Sequence, residues 1–93
     1  MRTYKERIDL IATCLSRLGI PFEMRPIYEG WQILCPWADN ADVAAHDGTY
    51  GAKSGMVETY EFPWDEGDVS MLTPEEAADR IIVCWHQLNG EGV

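Results

Sequence analysis

Past Cys35 this chain has almost no positive charge. Twelve acidic residues follow that point, and only Lys53 and Arg80 oppose them; the first 35 residues hold five basic and four acidic side chains. A surface this short of Lys and Arg cannot neutralise phosphates, which argues against direct binding of nucleic acid or an anionic membrane. Long apolar runs are missing too, and none approaches the roughly 20 residues that span a bilayer. The opening MRTYKERIDL is too polar and too acidic for a secretory signal. Cysteine pairs are absent. Cys14, Cys35 and Cys84 are odd in number, lack C-x-x-C spacing and sit among apolar neighbours, which reads as free thiols in a reducing compartment. The expected location is the cytoplasm. His46, His86 and the scattered cysteines lack metal-ligand spacing, and Asp65, Glu66 and Asp68 do not continue into a calcium loop. No metal and no cofactor is expected.

What is present is enough apolar sequence, 46% of 93 residues, for one modest core without staples. Thr3 followed by Glu6 is a capping-box signature, and Tyr4, Ile8, Ile11, Ala12, Leu15 and Leu18 then recur at helical spacing up to Gly19. This predicts a helix over about 4–18. Thr73-Pro74-Glu75-Glu76 opens a second helix, with Ala77, Ala78, Ile81, Ile82, Trp85 and Leu88 on one face and Asn89-Gly90 as its stop. Between them, 20–25, 31–35 and 42–46 alternate as strands. Pro26 ends the first strand or places it at an edge. Residues 56–62 read as a fourth short strand or a helical turn, the strand being favoured, and 62–72 as an ordered surface loop. The expectation is a single α+β domain over residues 1–93, with an antiparallel sheet of three or four strands flanked by an N-terminal and a C-terminal helix.

Two stretches carry the candidate chemistry. Gly51-Ala52-Lys53-Ser54 superficially suggests a phosphate loop, but the G-x-x-x-x-G-K-[ST] form is broken, a strand-like segment follows, and the surroundings are acidic. His46, Tyr50 and Glu58 around this glycine loop can be drawn as a small catalytic or ligand site, which requires a pocket and a perturbed titrating group. The loop is expected to close through His46 and Tyr50, leaving Thr49 and Lys53 outside. The second stretch is Phe62-Pro63-Trp64-Asp65-Glu66-Gly67-Asp68. Trp37 and Trp64 sit in Pro-containing acidic loops, where each either covers one end of the core or anchors an interface.

His46-Asp47-Gly48-Thr49-Tyr50-Gly51, then Gly55-Met56-Val57-Glu58, then Leu72-Thr73-Pro74-Glu75-Glu76 resemble a group of small phage- and prophage-encoded proteins. These carry an H-x-G-[ST]-Y-G loop, a G-L-x-E segment and an L-T-x-E-E helix start. The likeness covers approximately residues 20–82, with Met56 where Leu is usual. Small acidic proteins of that setting include anti-CRISPR inhibitors, several of which occupy DNA-binding surfaces of Cas effectors. The resemblance implies a non-enzymatic inhibitor whose partner is a basic protein, a Cas nuclease or CRISPR complex among the candidates. Charge and resemblance together nominate Asp47, Tyr50, Glu58, Glu61, Trp64, Asp65, Glu66 and Asp68 as partner-binding residues. The carboxylates would supply salt-sensitive attraction, and Tyr50 and Trp64 the apolar anchors.

Overall fold

Thr3 and Thr73 start the two helices. Each threonine hydroxyl accepts the backbone N–H three residues on, at 3.1 Å, and each glutamate there reaches back to the threonine N–H. These reciprocal bonds satisfy the otherwise orphaned first-turn donors. The computed structural model describes residues 1–90, with α1 spanning Tyr4–Arg17 and α2 spanning Pro74–Leu88. Gly19 follows α1 at φ 69°, the left-handed conformation expected of it.

Five strands lie between the helices: β1 Glu23–Ile27, β2 Gly30–Cys35, β3 Ala41–Ala45, β4 Val57–Tyr60 and β5 Val69–Leu72. They pair in chain order, every pair antiparallel, as an open meander. The α+β architecture is the one expected, with one strand more. β5 falls within 62–72, the stretch expected as a surface loop. Its four residues are too few to establish a period of two, and pairing with β4 makes them a strand. β1 runs through Pro26, which pairs opposite Trp31. An edge strand tolerates the missing N–H because one side of it has no ladder to complete.

Period two divides the sheet into unlike faces. Met24, Ile33, Val43, Thr59 and Ser70 form one cross-strand row, flanked by Cys35, Ala45, Val57 and Leu72. Both helices pack on this side, α1 against β2 and β3 and α2 against β4 and β5. Ile8, Ile11 and Leu15 of α1 and Ala77, Ala78 and Ile81 of α2 fill the space between the layers. Cys35 and Cys84 lie in this core as free thiols, and Cys14 is half-buried. Burial, with Cys84 and Asp42 nearby, pushes the Cys35 thiol up to about 12. Gly30 admits no side chain, since a Cβ there would lie 1.8 Å from the Ala45 carbonyl oxygen. No helix among the described residues is long and apolar enough to cross a membrane.

Candidate functional site

The glycine loop, residues 46–56 between β3 and β4, is held from outside by α1. Arg7 is only 3% exposed. Its Nη1 donates to the carbonyls of Ala52 (2.7 Å) and Met56 (3.1 Å), and its Nε to that of Arg2 (3.1 Å). The Tyr4 ring lies 5.0 Å from the guanidinium, and the Tyr4 hydroxyl donates to Asp47 at 2.6 Å. A buried guanidinium with fixed donors suits carbonyls that have no ladder partner. Within the loop, His46 Nδ1 accepts the Gly48 N–H at 3.0 Å, and Glu58 accepts the Tyr50 N–H at 2.8 Å. Thr49 is buried rather than exposed, its hydroxyl bonded to the His46 carbonyl at 2.8 Å. The Tyr50 side chain does not close the loop; it stands 69% exposed, while Lys53 is exposed as expected. His46 and Glu58 thus bond the loop's own backbone, and the His46 ring packs 5.0 Å from that of Tyr28.

The second stretch divides between inside and outside. Pro63–Asp65 forms one 3-10 turn, and Asp65 is only 5% exposed. Its carboxylate accepts the Thr59 hydroxyl at 2.8 Å and the Phe62 N–H at 3.2 Å. Trp64 stacks on Phe62 at 4.6 Å between ring centres and donates its indole N–H to the Thr59 oxygen at 3.0 Å. Arg80 of α2 lies 5.9 Å from the Trp64 ring. Asp65 is therefore not a surface charge, and Trp64 is half-buried on the helix side, away from Tyr50. Trp37 likewise closes the core, edge-on to Trp85 at 5.1 Å and donating to the Pro21 carbonyl at 2.7 Å. The signal for Asp65 was legible: an acid three residues after Phe62, with Pro63 at the first turn position, is a helix-start pattern. Glu66 and Asp68 do lie outside, and Asp68 accepts the Val69 N–H at 2.8 Å.

Of the remaining nominated residues, Asp47 lies at the α1 end, while Tyr50, Glu58, Glu61 and Asp68 lie on or beside the side of the sheet without helices. Two rows cross it: Glu23, Leu34, Asp42, Tyr60, Val69; and Arg25, Gln32, Ala44, Glu58, Met71. Arg25 donates to Gln32 at 3.0 Å, and Gln32 donates in turn to Asp42. Burial is the largest influence on Asp42 and raises its carboxyl above the usual value; the Gln32 bond opposes this, and the nearby charges of Glu58 and Asp65 add to it. Tyr60, 44% exposed, bonds Glu61. That bond and the Glu61 charge, then burial, then Asp42 and Asp68, hold the phenol above its ordinary value. Asp42, Glu61 and Asp68 thus share the surroundings of one exposed tyrosine, and Glu58 lies near Asp42. Glu61 is held at φ 71°, a left-handed conformation uncommon for a side-chain-bearing residue. Asp42 was not among the nominated residues; its place in β3, opposite Tyr60, brings it in.

Other acids are engaged elsewhere. Glu75 pairs with Arg2 at 2.7 Å, which holds its carboxyl below the usual value, and Glu76 closes the α2 capping box. Asp47 is tied to Tyr4 at the α1 end. Among the described residues, no three His, Cys, Asp or Glu side chains converge to hold a metal ion. No protein-family model, curated protein or solved structure matches the chain.

Proposed function

We propose that this protein is a binding module that docks onto a cationic protein through the helix-free side of its sheet. The observation that carries this reading is the grouping of Asp42, Glu61 and Asp68 around exposed Tyr60, with Glu58 near Asp42 and Tyr50 and Met71 exposed on the same side. Arg25 is the basic residue in the two exposed rows, and it is engaged by Gln32. Acids close to aromatic side chains favour fast, salt-sensitive association with Lys- and Arg-rich surfaces, and exposed tyrosines supply interface anchors. Such surfaces are those of nucleic-acid-binding proteins, so the occupied partner loses access to its nucleic acid. Taken with the resemblance to phage-encoded proteins, the reading is an anti-CRISPR-like inhibitor acting on a Cas effector. Its binding set is Asp42, Tyr50, Glu58, Tyr60, Glu61 and Asp68, with Trp64 and Asp65 left out.

The test is competition. Purified Cas effectors are titrated with the protein, with and without target DNA, at about 50 and about 500 mM salt. The expected result is mutual exclusion with DNA and at least about a tenfold loss of affinity at the higher salt. Affinity indifferent to salt, and to joint D42N, E58Q, E61Q and D68N substitution, would sink the reading. A glycine-loop site built on His46 and Glu58 is less favoured, because the His46 Nδ1 lone pair is taken by the loop's own Gly48 N–H.

A further inference from the structure

Within the helix-free side lies a groove of about 410 Å³ lined by Tyr50, Gly51, Asp68, Val69 and Met71. Three kinds of surface meet there. Val69 and Met71 are outward-facing residues of β5 and make an apolar floor, on which Met71 remains 50% exposed. Tyr50 stands at the wall with its ring free of any loop-closing role. Asp68 supplies a carboxylate with one oxygen accepting the Val69 N–H, and a carboxylate has further lone pairs to offer. None of the lining residues is basic. Gly51, at φ 76°, shapes the wall: a Cβ there would lie 2.4 Å from the Met71 sulfur and drive that side chain across the floor.

We infer that this groove is the seat of a single arginine side chain from the cationic partner. A long aliphatic stem on apolar surface with a charged head at the rim is how such side chains are normally buried. The Met71 and Val69 floor takes the stem, Asp68 takes the guanidinium through charge-assisted hydrogen bonds, and the Tyr50 face takes it by stacking. A planar guanidinium satisfies carboxylate and ring together, whereas the compact, strongly hydrated ammonium of lysine does not stack. The inference rests on the cationic-partner reading and narrows it to one anchor position.

The probe is a short arginine–serine peptide, with matched peptides carrying lysine or the neutral isostere citrulline in place of arginine. The full chain, labelled at methionine methyl groups and tyrosine rings, is followed by NMR. The expected result is saturable shifts at Met71 and Tyr50 with the arginine peptide. D68N, which keeps an oxygen for the Val69 N–H, and Y50L, which removes the ring face, should separate the two contacts. D68N should weaken binding about tenfold, the scale of one lost charge-assisted bond, and Y50L should weaken it by a few-fold and narrow the preference for arginine over lysine. G51A should abolish the Met71 shift while the amide spectrum of the helices stays in place. Equal binding of the lysine or citrulline peptide would overturn the guanidinium assignment. Shifts confined to the amides around Asp42, Glu58 and Glu61, with Met71 and Tyr50 silent, would remove the groove and leave the acidic-surface reading standing. Silence across the whole helix-free side would remove both.

Discussion

Val43 and Ala44 are neighbours in β3, yet Val43 is sealed beneath the helices while Ala44 lies on the opposite side, flanked in its row by Gln32 and Glu58. Both are buried, by different means. On the helix side, burial comes from a second layer of apolar side chains, and the buried carboxylate there has specific partners, Asp65 accepting from Thr59 and Phe62. On the other side, cover comes from the sheet's own long polar side chains, Arg25, Gln32, Asp42 and Glu58, lying over small residues. Asp65 on the first side serves the fold; on the second, Glu61 and Asp68 stay exposed, while Asp42 and Glu58 also accept bonds from Gln32 and Tyr50. Asp65 and Asp68, three residues apart, fall on opposite sides of that division.

The largest effect that tests this division lies at the loop clasp. Arg7→Ala removes a buried guanidinium and leaves the Ala52 and Met56 carbonyls without it, so a loss of about 2–4 kcal/mol is expected in urea unfolding. Amide exchange should rise first over residues 46–56, and an unchanged melt would mean that water replaces the guanidinium freely. Next comes the aspartate pair. Asp65→Ala should cost about 2–3 kcal/mol through the unpaired Thr59 and Phe62 donors, yet leave partner affinity intact in whatever fraction stays folded. Asp68→Asn should do the reverse, changing stability by less than about 0.5 kcal/mol and weakening the partner. If both variants lost binding alike at matched folded fraction, the two sides would not be functionally distinct.

Asp42 provides a finer test through pH. Its folded pKa is raised, so the folded protein holds this proton more tightly than the unfolded chain does. Its contribution is fully present below the unfolded value and is lost as pH rises through the raised one. Asp42→Asn should remove that downward step from stability measured against pH and, with an oxygen still accepting from Gln32, cost little at neutral pH. A step that persisted in the variant would assign it to another carboxyl. The smallest effect is backbone only. Glu66 holds φ 49°, so Glu66→Gly should gain under about 1 kcal/mol from relief of the left-handed conformation, offset by the added freedom of the unfolded chain. A clear loss of stability would mean that the glutamate side chain matters to the turn.

Much of the fold could be read before the coordinates, because its signals are local. Thr3 with Glu6, and Thr73 with Pro74 and Glu76, specify helix starts through bonds made within four residues. Tertiary signals were harder to read. Val69–Leu72 becomes a strand only because β4 offers it a ladder. Arg7 follows Glu6, one helical turn after Tyr4, and precedes Ile8, and its sequence alone does not distinguish a solvated arginine from one drawn inward by carbonyls about 45 residues away. For the site, Tyr50, Glu58, Glu61 and Asp68 fall on the predicted acidic surface; Trp64 and Asp65 do not, since an acid beside an indole in a Pro-containing turn serves interior and exterior equally well. Asp42 became visible only with the register, which sets it opposite Tyr60.

The Arg7 bonds have a bearing on assembly order. The β3–β4 connection has little apolar filling of its own, with Thr49 and Ala52 as its buried members, and its carbonyls find their donor on the first helix. Adjacent strands can zip early through short-range pairing, whereas this connection is expected to gain its shape only once α1 docks. The wall formed by Tyr50 and Gly51 would then be a late product of folding, and loosening the first helix would blur the groove on the far side of the sheet without disturbing a single residue in it.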